Sequence, residues 1–349
     1  MRIVVSRRRF RMFAIALVAA ALSLVVGPFA PPVSAHALDN APRTWHVTVG
    51  VQTPTGTISG MIFTPSHIWV KSGDTIVWTA GSQEIHTVSF GTPPADTDDE
   101  SAEPPLPPII NAFEEFEEAV LPPAGGHTFT GSGYYNSGLM TTVPAASGFP
   151  TALTHYSLKI EAAPGTYFFY CVVHGPMMSQ LVTVIPNGQA YPYTQSRYDA
   201  QAATERAKIY AEGFRAYGAT ESLVSRNTVY VGAAVDTGMA DVMRFVRGNT
   251  VVRAGSWVTF KNLTADPHTV TIGDEDAIPG GGLLPYGNFA DIEPGMNYSS
   301  GIFGHAFGEA FGLNLPNTVS FRFGHTGVYH FFCVLHDYEG MVGTITVVP

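Results

Sequence analysis

Gly165-Thr166-Tyr167-Phe168-Phe169-Tyr170-Cys171-Val172-Val173-His174-Gly175-Pro176-Met177 and Gly327-Val328-Tyr329-His330-Phe331-Phe332-Cys333-Val334-Leu335-His336, followed by Asp337-Tyr338-Glu339-Gly340-Met341, end alike. In each, an aromatic run bounded by glycine reads as a strand that stops at a cysteine. A histidine follows three residues later and a methionine after that. These are the only two cysteines of the 349-residue chain. A pair of cysteines in an exported protein ordinarily suggests a disulfide. The same His and Met context around both argues instead for two separate sites. Thiolate and thioether suit Cu(I) and imidazole suits Cu(II), so this donor set tolerates both oxidation states of copper.

Working outward, the chain repeats itself. Val70-Lys71-Ser72-Gly73-Asp74-Thr75-Ile76-Val77-Trp78 parallels Val252-Arg253-Ala254-Gly255-Ser256-Trp257-Val258-Thr259-Phe260. Ile85-His86-Thr87-Val88 parallels Pro267-His268-Thr269-Val270, and Tyr135-Asn136-Ser137-Gly138-Leu139 parallels Tyr298-Ser299-Ser300-Gly301-Ile302. The run Gln180-Leu181-Val182-Thr183-Val184 is set against Thr344-Ile345-Thr346-Val347-Val348. Ser137 precedes Cys171 by 34 residues and Ser300 precedes Cys333 by 33. His86 lies 51 residues before Ser137, but His268 only 32 before Ser300, so the first half carries 19 extra residues. They fall in a Pro-rich acidic stretch, 91–126, read as a surface loop with a short helix around 112–120.

Most other segments alternate apolar and polar residues between Gly, Pro, Asn or Asp, which means short strands. With 36 Gly, 26 Pro and 13% charged residues, the composition fits two β-sandwiches. Gln195–Tyr217, rich in Ala, Glu, Arg and Lys, reads as a helix between them. The expected organisation is a leader at 1–35, a first domain at 42–188, a helical linker at 189–224 and a second domain at 225–349.

Arg2, Arg7, Arg8, Arg9 and Arg11 precede an apolar run, Met12–Val26, and small residues at Ala35 and Ala37 offer cleavage sites. This reads as a secretory signal peptide, too short for a membrane span. Ser6-Arg7-Arg8-Arg9-Phe10 also resembles a twin-arginine export signal. Loss of the five leader arginines takes the formal charge from -10 to -15. That charge argues against a nucleic-acid partner.

The donors have a natural arrangement: two His and one Cys in a plane with a weak axial Met. The Cys, the loop His and the Met come from one loop, and His86 or His268 supplies the fourth donor from upstream. On these residues the chain resembles the cupredoxins, the blue copper fold of plastocyanin, amicyanin and pseudoazurin, over about 45–186 and 225–349. The second loop has plastocyanin-type spacing and the first amicyanin-type. The resemblance implies an all-β chain of two tandem Greek-key sandwiches joined by a helical linker. It implies one copper held by His86, Cys171, His174 and Met177, and another by His268, Cys333, His336 and Met341. Met178 follows directly and offers a second thioether for the first site. Where plastocyanins often have Asn after the first His, this chain has Thr87 and Thr269, whose hydroxyls can still tie the ligand loops together.

The family implies an exported carrier, periplasmic or extracellular, passing single electrons between redox protein partners. The loop histidines, His174 and His336, would be the ports at which those partners dock. Two-domain copper enzymes of the oxidase and nitrite-reductase type place a His beside the ligand Cys. Here Cys171 is flanked by Tyr170 and Val172, Cys333 by Phe332 and Val334, and no His-x-His pair occurs. Copper storage or delivery would use the same ligands, but the chain lacks the Met-rich or His-rich tracts expected of it.

Overall fold

The computed structural model describes residues 41–93, 122–223, 225–310 and 312–349. The expected leader and most of the acidic stretch, with its expected helix, lie outside the described residues. The first half holds ten strands: β1 (Thr44–Gln52), β2 (Ile58–Thr64), β3 (His67–Lys71), β4 (Thr75–Ala80), β5 (Ser89–Phe90), β6 (Thr128–Phe129), β7 (Tyr135–Asn136), β8 (His155–Ile160), β9 (Gly165–Cys171) and β10 (Gly175–Ile185). A helix, Gln195–Glu221, follows. The second half holds β11 (Thr228–Val231), β12 (Ala240–Val242), β13 (Phe245–Val246), β14 (Asn249–Arg253), β15 (Ser256–Asn262), β16 (Thr271–Ile272), β17 (Pro285–Tyr286), β18 (Tyr298–Ser300), β19 (Thr318–Phe323), β20 (Gly327–Phe332) and β21 (Val342–Val348).

Each half is a sandwich of two sheets. The first pairs the order β12-β2-β1-β4-β8-β6 with β3-β10-β9-β5-β7; the second pairs β13-β11-β15-β19 with β14-β21-β20-β16-β18-β17. The repeat seen in sequence is a repeat of pairings. β1 runs parallel to β4 as β11 does to β15, and β3 parallel to β10 as β14 does to β21. β9 and β20 each run antiparallel to the strand that follows. Inward residues alternate along these strands: Ile76, Trp78 and Ala80 on β4, and Phe321 and Phe323 on β19. Trp45, Trp78, Phe129 and Phe169 fill the first core, and Phe260, Phe303, Phe321 and Phe331 the second. Burying each such ring contributes about 1.5–3 kcal/mol.

The halves share structure. β12, from the second half of the chain, pairs antiparallel with β2 and completes the edge of the first half's sheet. The expected division at residue 225 therefore does not separate the sheets. The helix is stopped at its start by Thr194, whose hydroxyl accepts from Arg197 N at 3.4 Å. It lies against β2, where Gly60 and Gly213 permit close approach; a Cβ on Gly213 would meet Ile58 Cγ2 at 2.4 Å. Val51, Ile58, Ile62, Ile209, Tyr230, Ala240, Val242 and Val246 form a third apolar cluster joining both halves and the helix.

Candidate metal centres

β9 ends at Cys171 and delivers its thiol into the first core, fully buried. His86 sits on an isolated bridge: its N–H donates to Met140 O at 2.9 Å, and Met140 N donates to His86 O at 2.7 Å. Its ring packs against Gly50, which has φ +68° and leaves no room for a side chain; a Cβ there would lie 2.2 Å from His86 Nε2. His86 Nε2 is 2.8 Å from Ser82 Oγ, so Nδ1 is the free atom. It lies 3.2 Å from His174 Nδ1, and His174 Nδ1 lies 3.5 Å from Cys171 Sγ. The second site copies the first. His268 Nε2 is 3.0 Å from Thr264 Oγ1, His268 Nδ1 is 3.2 Å from His336 Nδ1, and Cys333 Sγ is 3.5 Å from His336 Nδ1. In each triad the ligand-capable atoms all lie within 4.8 Å of one another.

Threonine ties the loops together as the sequence allowed. Thr87 N donates to Cys171 Sγ at 3.3 Å, and Thr87 Oγ1 accepts from Val172 N at 2.8 Å. Thr269 does the same for Cys333 at 3.3 Å and Val334 N at 3.0 Å. The repeated placement of Ser137 and Ser300 also has a reason. Their hydroxyls accept from Val88 N and Val270 N, each at 2.8 Å, and hold the strand beside the upstream His.

The methionines need one correction. Met177 points away from the first site and is 60% exposed, while Met178 is fully buried in the cluster that contains Cys171. In the second site Met341 is buried beside Cys333, whose N–H donates to Met341 O at 3.1 Å. Strand alternation explains both. Met178, Gln180, Val182 and Val184 point inward on β10, as Gly343, Ile345 and Val347 do on β21 after Met341.

Burial governs the protonation of both triads. It pushes His174 down to about 3, helped by the charge of His336, and pushes His336 down to about 4. His86 and His268 are driven well below the ordinary histidine range by burial and then by His174 and His336 respectively. All four rings are therefore neutral and able to offer a lone pair. Burial raises the Cys171 thiol and takes Cys333 to about 11, with amide donors pulling back. A buried thiol that gains a cation must release its proton, so metal uptake here liberates protons. Four neutral imidazoles, two thiols and two inward thioethers, in sets of one Cys and two His, fit a copper ion at each site better than a hard cation.

The expected docking ports are not at the surface. The His174 and His336 side chains are only 10% and 7% exposed, and both turn Nε2 toward Glu84, each at 3.8 Å. The carboxyl groups of Glu84, Asp266, Glu339 and Asp241 gather at this junction. Glu84 and Asp241 are raised well above the usual carboxylate range, by burial first and then by their acidic neighbours. Burial also lifts Asp266 to about 6 and Glu339 to about 7. Gln52 Nε2 donates to Glu339 Oε2 at 2.6 Å, and Arg244 Nη1 donates to Glu339 O at 2.8 Å. Sequence reading missed this junction because its members lie 287 residues apart in the case of Gln52 and Glu339. The repeat gave one signal: Glu84 and Asp266 each stand two residues before the upstream His.

Residues 231–348 match the model of a family of copper binding proteins, plastocyanin/azurin. Plastocyanin A'/A'' of Nicotiana tabacum is 35% identical over 105 residues, 30% of this chain and 88% of that protein. The chloroplastic plastocyanin of Oryza sativa subsp. indica is 31% identical over 138 residues, 38% of this chain and 77% of that protein. Among solved structures, oxidized plastocyanin from Dryopteris crassirhizoma aligns with 18% identity and a TM-score of 0.22, covering 35% of this chain and 99% of that one. A purple cupredoxin from Nitrosopumilus maritimus aligns with 19% identity and a TM-score of 0.21, covering 35% and 98%. The chain belongs to the plastocyanin/azurin family of copper-binding cupredoxins.

Proposed function

We propose that the chain is an exported electron carrier that holds two type 1 copper ions, one in each sandwich. His86, Cys171, His174 and Met178 would hold the first, and His268, Cys333, His336 and Met341 the second. Bound copper supplies a one-electron couple. The chain's own residues fix the donors in place, exclude water and keep the imidazoles neutral. The observation that carries this reading is the convergence of Nδ1, Nδ1 and Sγ within 4.8 Å in both halves. Rigid, buried donors change little between oxidation states, which is what a carrier needs. The absence of a His beside either Cys favours carriage over catalysis. We take residues 1–35 as a cleaved leader, 42–188 and 225–349 as the two cupredoxin units, the second lending β12 to the first unit's sheet, and 189–224 as the link. The location follows as the periplasm or cell exterior. Among the described residues, no helix is long and apolar enough to cross a membrane. With the loop histidines covered, redox partners would approach by another face.

The test is titration of the metal-free protein with Cu(II). Two coppers per chain and intense thiolate-to-copper absorption are expected, with one copper and part of the absorption lost in Cys171→Ser and the remainder in Cys333→Ser. A colourless protein, or a Cys171–Cys333 disulfide, refutes the reading.

A further inference from the structure

Each loop histidine faces its own cysteine with Nδ1. Once Nδ1 is engaged, a neutral imidazole carries its proton on Nε2. In His86 and His268 that second nitrogen is occupied inside its own half by Ser82 and Thr264. In His174 and His336 it points across the junction at one side chain. Glu84 Oε1 lies 3.8 Å from His174 Nε2, and Glu84 Oε2 lies 3.8 Å from His336 Nε2. The two rings, one from each sandwich, are thus separated by two short contacts and the width of a single carboxyl group.

Glu84 is a costly residue in that place. Its side chain is 6% exposed and shares a hydrogen bond with the equally buried carboxyl of Glu339. Its counterpart in the repeat, Asp266, is one methylene shorter and is paired with Asp241 as Glu84 is with Glu339, but both loop histidines meet Glu84.

We propose that Glu84 joins the two sites into one internal redox unit, so that an electron delivered to either is shared along His174, Glu84 and His336. This rests on the two-copper reading above. One electron leaves the reduced site and arrives at the oxidised one; no bond is made or broken and no outside reactant enters. The chemical consequence is a protein that exchanges electrons within itself before it meets a partner.

The experiment uses the full chain loaded with copper and given less than one electron per molecule by a pulse of reducing radicals. The single-site Cys→Ser proteins assign the two absorption bands. We expect a first-order redistribution between the bands whose rate does not change with protein concentration. In Glu84→Leu, with both bands retained, that rate should fall about tenfold or more, equivalent to ~1.4 kcal/mol on the barrier. Nitrogen NMR of the metal-free protein gives a second reading: Glu84→Leu should move the Nε2 resonances of His174 and His336 together. Should Glu84→Leu not fold, Glu84→Gln, equal in size but with one acceptor oxygen replaced, should slow the same phase. A redistribution that scales with protein concentration overturns the bridge. An unaltered rate in a Glu84 variant that keeps both bands does so too. A chain that binds no copper overturns the two-copper reading instead.

Discussion

At the scale of single residues, spacing made the cysteines and histidines legible and adjacency obscured one methionine. Setting Gln180–Val184 against Thr344–Val348 places Leu181 opposite Ile345. Leu181 is 39% exposed and Ile345 fully buried, so that pairing is slipped by one residue. Tyr167 pairs with Val182 as Tyr329 pairs with Ile345, which sets Met178 opposite Met341. A one-residue slip in a strand exchanges its two faces, and here it exchanged a buried thioether for an exposed one. Period-two counting back from Val184 would have found Met178. The expected consequence is specific: Met178→Leu should change the potential and absorption of the first site only. Met177→Leu should leave both unchanged. The Leu for Met exchange at the buried position should cost less than about 1.5 kcal/mol, so altered spectra would not reflect unfolding. Electrochemistry and absorption of the two variants check this.

At the scale of elements, the strands were legible from alternation and the helix from its composition. The loops that join them were not, because their order depends on single side chains reaching across the sandwich. Thr87 and Thr269 each secure the amide after the cysteine. Thr87→Val keeps the shape and removes the acceptor, leaving Val172 N unsatisfied. The cost should be about 1–3 kcal/mol of stability. Copper should leave the first site faster than the second, and Thr269→Val should reverse that order. Chelator-driven copper loss, followed band by band, measures it.

At the scale of the whole molecule, the junction was illegible because the sequence repeat describes each half alone. Nothing local announces that Glu84 meets His336, or that β12 leaves its own half to pair with β2. The carboxyl groups collected there give the molecule a pH dependence. Unfolded carboxylates titrate near 4. In the fold, burial lifts Asp266 to about 6, Glu339 to about 7, and Glu84 and Asp241 upward. Groups raised in this way bind more protons when folded, so their stabilisation is full below about pH 4 and is lost as pH rises through about 6 to 7. The buried imidazoles are shifted the other way and lose stability as pH falls below about 6.5. Comparing variants separates the two: Asp241→Asn should reduce the fall in thermal midpoint between about pH 5 and pH 8 relative to the unaltered chain. An equal fall in both proteins would exclude the carboxyl cluster as its cause.

The pairing of β12 with β2 also sets a timetable for synthesis. Domains generally fold in the order in which they leave the ribosome. The first sandwich does not follow that order, because its outermost strand is encoded after the long helix. Until Val242 has emerged, the nascent chain carries the edge of β2 uncovered, a row of unpaired amides and carbonyls open to any neighbouring strand. The helix, made just before that strand, packs its side chains on β2 but leaves that backbone edge for β12 to pair.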